Sequence, residues 1–262
     1  MNRRLAVLPT VVFILISAAP AFAQDAGQDR STIGAKRGSQ TFTVKGKFSV
    51  FGGVGFDLDV IGDVTAPAVG SIHGTSTAIQ GTAYPDVYVR TQRRRYLGAS
   101  FGFKPKTEIM ARYQEANNPA STVSAGASGV ASNGFAVAFD DYKDRLIEFG
   151  LRHYMATPKR TRQYFSLLYG VKTVDALGMQ MRPPGGANRT ALYSKSRIPS
   201  IGLEFGIAVE YGHVGVFLES GLRWQKRLKR DDTDLAQYEL TDANNTGARV
   251  FMPATFGLHF RF

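Results

Sequence analysis

From Gly46 to Phe262 the sequence repeats with a period of two, apolar residues on one set of alternate places and small or polar residues on the other. Successive side chains of an extended strand point to opposite faces, so this period marks β-structure and leaves no room for a helical core. The clearest run sets Ile201, Leu203, Phe205, Ile207, Val209 and Tyr211 against Ser200, Gly202, Glu204, Gly206, Ala208 and Glu210. The pattern opens with Phe48, Val50, Val54, Phe56, Leu58 and Val60 and closes with Val250, Met252, Ala254, Phe256, Leu258, Phe260 and Phe262. Between them it returns over 97–103, 109–113, 147–151, 165–171 and 214–224, which makes about eight strands.

Alternation alone also fits a soluble sandwich. The connections decide between the two. They run long and short in turn, at about 61–86, 104–106, 118–140, 156–162, 175–197, 211–213 and 227–248. Membrane barrels have short periplasmic turns, longer outer loops and an even number of strands. A first strand rising from the periplasm puts every short connection on one side and every long one on the other. In hydrocarbon an open sheet edge would leave backbone groups without partners at several kcal/mol each, so the sheet must close. Each tilted strand needs about 9–11 residues to cross, and these segments supply them. The expected fold is therefore all-β, a transmembrane antiparallel up-and-down barrel of about eight strands over residues 46–262. A ten-stranded barrel is the alternative, if a hairpin around Ser71–Val89 joins the wall. Tyr211, Trp224, Phe260 and Phe262 are expected near the two membrane interfaces.

The N-terminus fixes the compartment. Arg3 and Arg4 precede an apolar stretch from Leu5 to Ala19, followed by Pro20, Ala21, Phe22 and Ala23. This is the pattern of a secretory signal peptide over residues 1–23, with the mature chain starting at Gln24. Residues 24–45 are polar and aperiodic, as in a flexible extension. Export argues against nucleic acid as the partner of a chain whose formal charge is +11. The absence of Cys excludes disulfides, thiolate-held metals and thiol nucleophiles.

Taken together, the signal peptide, the loop alternation and the ending Phe256-Gly-Leu258-His-Phe260-Arg-Phe262 resemble the small eight-stranded outer-membrane barrels of Gram-negative bacteria. The resemblance covers 46–262 as a pattern. It implies an outer-membrane location and contact with outer-membrane lipids. It also implies delivery by the outer-membrane assembly machinery, with Phe256, Leu258, Phe260 and Phe262 as the signal read.

Two segments repeat one another on the inward face, Glu148-Phe-Gly150-Leu-Arg152 and Glu219-Ser-Gly221-Leu-Arg223. Their strands run in opposite directions, so across a narrow lumen Glu148 is expected to meet Arg223, and Arg152 to meet Glu219. Glu204, Glu210, Lys172, Arg112 and Asp57 share that face. Side chains fill an eight-stranded barrel, so a charge-paired plug is expected in place of an open pore. A narrow pore is the alternative. A barrel enzyme acting on lipid A would want a His or Ser beside a carboxylate. Of the four His, His73 falls in a loop, His153 toward lipid near the inner rim, His213 in a turn and His259 inward. The single candidate dyad is His259 with Glu219 on the neighbouring strand. No catalytic residue, metal-ligand set or cofactor is assigned. Residues 231–239 suggest a short helical turn, and the acidic trio there lacks the Gly and distal Glu of a calcium loop.

Basic clusters supply the remaining hint. Arg93, Arg94 and Arg95, and Lys226, Arg227, Lys229 and Arg230, fall at the outer rim. Arg93, Arg95, Lys226, Arg227, Lys229 and Arg230 are candidates to meet the phosphates of lipopolysaccharide. Lys159, Arg160 and Arg162 fall at a periplasmic turn. The long loops have the composition of surface display: 117–134 is small, polar and expected to be mobile, and 182–186 is a turn-rich tip. The role that follows is structural or surface-interacting, with the four loops as surface antigen or receptor for an extracellular ligand.

Overall fold

A computed structural model describes residues 42–72, 74–88, 93–120, 122–124, 136–155, 160–182 and 188–262. The expected signal peptide, most of the polar extension, His73, Lys159, the side chain of Arg93 and the tip at 183–186 lie outside the described residues.

The period of two becomes eight long strands: β1 (Phe48–Ile61), β2 (Arg93–Lys104), β3 (Thr107–Asn118), β4 (Tyr142–Tyr154), β5 (Thr161–Val174), β6 (Ser196–Tyr211), β7 (Val214–Gln225) and β8 (Arg249–Arg261). Each is antiparallel to its neighbours in sequence, and β8 closes on β1 with Ser49 opposite Arg261 and Phe56 opposite Ala254. The Phe262 N–H donates to the Phe48 carbonyl at 2.8 Å and completes the seam. No edge is left open, as a sheet in hydrocarbon requires. The hairpin expected near Ser71 does form, as Ala68–Ile72 paired with Thr75–Ile79. It pairs only with itself, so the wall has eight strands rather than ten.

Short turns gather at one end. Gly212, with φ of 63° in the left-handed region, makes one of two two-residue turns with His213; the other is Pro105 and Lys106. At the other end the four long connections meet. The second and third combine as a four-stranded sheet of Thr122–Ser124, Ala136–Phe139, Leu177–Arg182 and Asn188–Tyr193. Two helical turns, α1 (Tyr84–Tyr88) and α2 (Thr233–Ala236), belong to the first and fourth. Val64, Tyr88, Leu177, Met179, Leu192 and Leu235 are among the residues that pack into one buried apolar core spanning all four. The mobility expected over 117–134 falls largely on residues outside those described, and the described parts of these loops are a folded cap. Their apolar residues are too irregularly spaced to show a period, which is why the polar composition dominated. Only the tract 125–135 lies outside the described residues of the second loop, apart from position 121.

Candidate functional site

The inward residues of the eight strands fill the lumen in three tiers. In the middle tier the Arg112 guanidinium reaches three carboxylates, Glu148 at 3.0 Å, Glu204 at 2.9 Å and Glu219 at 2.8 Å. Arg223 pairs with Glu148 at 2.8 Å and also binds Glu204. Arg152 pairs with Glu219 at 3.0 Å and lies over the Tyr164 ring at 4.4 Å. Both pairings read from the repeated Glu-x-Gly-x-Arg segments are therefore present. Three arginines and three glutamates, all buried, make a closed and neutral cluster. The glycine inside the second repeat lets the strands pair closely: a Cβ on Gly221 would lie 2.0 Å from the Leu203 carbonyl oxygen of the neighbouring strand. Desolvation makes such a cluster worth little net stability, but losing one member strands a charge in low dielectric.

The tier toward the short turns is built on Arg261, which donates to Glu108 at 2.9 Å, to the Tyr154 hydroxyl at 2.8 Å and to Ser49 at 3.2 Å. Glu210 joins it, bound by Arg261 and by Arg162 at 3.6 Å. His259 Nε2 lies 3.2 Å from Glu210. That replaces the expected dyad with Glu219, because His259 faces the lower tier while Glu219 is held in the middle by Arg112 and Arg152. Residues 42–47 then cross the mouth below. The Val44 N–H donates to the Pro105 carbonyl at 2.9 Å, Val44 is fully buried, and Phe42 meets Tyr154 edge-to-face and lies under Arg162. Residues 42–45 of the polar extension are therefore part of the barrel's lower closure.

The tier toward the long connections pairs Arg94 with Asp57 and Lys172 with Asp144, the latter at 2.9 Å. Arg94 also donates to Gln114 at 2.9 Å, so the middle residue of the triple-arginine run belongs to the lumen. The cap closes this end from above.

Outside, the faces are reversed. Val54, Phe56, Leu97, Ile109, Ile147, Phe149, Leu167, Leu203, Phe205, Leu218 and Leu222 are exposed around the whole ring, with no layer of the chain over them. Phe256, Leu258, Phe260 and Phe262 are exposed on the same face of β8 and beyond its end. A continuous apolar girdle around a polar, charge-filled interior suits hydrocarbon and not water. This is an eight-stranded transmembrane β-barrel.

Above the girdle of this barrel the outward row changes character. Arg95 stands opposite Glu115, Glu115 opposite Arg145, Arg145 opposite Thr173, and Thr173 opposite Arg197. Four neighbouring strand junctions thus carry three exposed arginines and a single acid, with Arg145 3.7 Å from Glu115. Exposed Lys226, Arg227 and Lys229 continue the belt past β6. Arg145 and Arg197 were not singled out in the sequence, since isolated cations in an alternating strand make no cluster until register aligns them. Arg230 turns into the fourth connection, donating to the Thr241 carbonyl at 2.6 Å. The acidic trio of that connection serves as hydrogen-bond acceptors: Asp231 for Ser194 at 2.9 Å, Asp232 for Asn244 at 2.9 Å and Asp234 for the Ala191 N–H at 2.9 Å. Among the described residues no group of His, Asp and Glu has metal-binding geometry.

No protein-family model matches the sequence, and no curated protein matches it. Among solved structures the barrel is similar to the neisserial surface protein NspA, at 11% identity over 83% of this chain and 98% of that one, with a TM-score of 0.40. It is similar to Ail, the attachment invasion locus protein of Yersinia pestis, at 11% identity over 83% and 99% of the two chains, with a TM-score of 0.37. It is also similar to the outer membrane protein OprG of Pseudomonas aeruginosa, at 12% identity over 85% and 98%, with a TM-score of 0.46. The assignment of the fold stands on the barrel's own topology and girdle.

Proposed function

We propose that this chain is a closed barrel of the Gram-negative outer membrane that acts through its outer surface, as a structural and surface-interacting component of the envelope. The observation that carries the reading is the Arg112 cluster, which fills the lumen with mutually bonded side chains between two further charged tiers. Such a barrel conducts nothing and offers its folded cap and basic belt instead. Signal peptide, girdle and closed wall support export to the outer membrane, and the terminal Phe256, Leu258, Phe260 and Phe262 support recognition by the assembly machinery.

The belt of Arg95, Arg145, Arg197, Lys226 and Arg227 suits the phosphates of lipopolysaccharide in the outer leaflet, since guanidinium groups bind phosphate bidentately. The non-enzymatic reading is tested on lipid A, whose mass spectrum should be the same with and without the protein. The closed-lumen reading is tested in planar bilayers. The refolded protein should be silent at several voltages, and discrete single-channel steps would overturn the proposal in favour of a narrow pore.

A further inference from the structure

The upper end of the lumen and the underside of the cap do not meet completely. They leave about 350 Å3 of unfilled space, counting the part open to solvent. Lys172 of β5, Gln225 of β7 and Arg249 of β8 make its buried floor, and Tyr84 and Tyr142 stand in its wall. Exposed Lys226 and Arg227 lie at its mouth, where β7 gives way to the fourth connection. Among the described residues lining it, four are cationic and none carries a carboxylate.

The floor holds an unused donor. Gln225 is 2% exposed, and its Oε1 accepts from Lys172 Nζ at 3.4 Å, which fixes the orientation of the amide. Its Nε2 has no hydrogen-bond partner. Buried amide nitrogens are almost always bonded, so one that is not marks a place for an acceptor. Lys172 carries three N–H donors. Asp144 takes one at 2.9 Å and Gln225 a second, which leaves a third among the described residues. Arg249 is held over the Tyr84 ring at 4.5 Å and the Phe251 ring at 4.9 Å, which keeps its charge at the floor.

We propose that this cavity is a binding site for one phosphate group, bound by Lys172 Nζ and Gln225 Nε2 in the field of Arg249 and reached past Lys226 and Arg227. Convergent donors of several kinds and a surplus of positive charge suit a polyvalent oxyanion. Its position at the rim admits two sources, inorganic phosphate from outside or the phosphate monoester of an outer-leaflet lipid. The site shares Lys226 and Arg227 with the belt proposed to meet lipid phosphates, while Lys172, Gln225 and Arg249 are its own, so Gln225→Leu separates the two.

Phosphorus NMR on the full-length protein tests it in two arms. In the first, protein refolded in a phosphorus-free detergent is titrated with inorganic phosphate at constant ionic strength. In the second, protein in phosphatidylcholine vesicles containing phosphatidic acid is observed at the monoester resonance. The expected result is a saturable shift or broadening in at least one arm, and which arm responds identifies the source. Gln225→Leu should weaken the response about tenfold, the loss of one hydrogen bond to a charged group. The double variant Lys226→Ala/Arg227→Ala, on the exposed rim, should weaken the response to inorganic phosphate severalfold, and in that lipid-free arm it carries the test if Gln225→Leu does not fold. Silence of the wild type in both arms, or a response unchanged in the folded variants, overturns the proposal.

Discussion

Arg112 holds three carboxylates at once, so its replacement tests the lumen more severely than that of any one partner. Arg112→Met should cost about 3–5 kcal/mol, read as a lower urea midpoint for the barrel refolded in lipid vesicles. A pair of adjacent residues separates the two faces. Phe205, 55% exposed on the girdle, should cost roughly 2–4 kcal/mol as Phe205→Arg and impair insertion into vesicles. Glu204→Gln, one residue away and bonded to Arg112 and Arg223, should insert normally and show its effect only in the unfolding curve. Equal behaviour of the two would contradict the register. At this scale the sequence was informative where residues repeat: the two Glu-x-Gly-x-Arg segments name their own partners. It was silent on Arg112 as the hub, because a lone Arg on an alternating strand looks the same whether it meets one carboxylate or three. His259 was misplaced for a related reason. Its height along the barrel, set by strand tilt and stagger, brings it level with Glu210 instead of Glu219.

The strands were legible because hydrocarbon outside and charge inside impose a strict alternation on each of them. The connections were not, because a cap core built from a few residues of each loop imposes no period on any one. Yet these elements carry specific ties. A Cβ on Gly102 would stand 1.8 Å from the Val44 carbonyl oxygen, so Gly102→Val should unseat residues 42–47 from the lower mouth. Limited proteolysis should then cut near Val44 faster than in the wild type while the barrel stays resistant. In the fourth connection, hydrogen bonds from Thr233 and Ser194 hold the Asp231 carboxyl below its usual range. A depressed carboxyl pKa means that the tie is present above the ordinary value and fails only as pH falls through the lowered one. Hydrogen exchange at the Thr233 amide should therefore stay slow at a pH where an unperturbed Asp is already half protonated.

The whole molecule is a closed ring of eight strands, and rings of this kind resist detergent until heated. On an unboiled gel the protein should migrate apart from its boiled form, and identical migration would argue against a closed barrel. Its positive charge, ambiguous in the sequence, divides into two populations. One is neutralised inside by carboxylates, and the other, including Arg95, Arg145 and Arg197, is exposed in one row where alignment of the strands alone brings it together. The join between β1 and β8 sets the timetable of the molecule's life. Arg261 donates to Ser49 across a separation of 212 residues, so β1 waits for β8 to be made before either finds its mate. Until they meet, each of these two strands keeps one margin without its hydrogen-bonding mate, and the ring gains its last ladder only when the whole wall has been made.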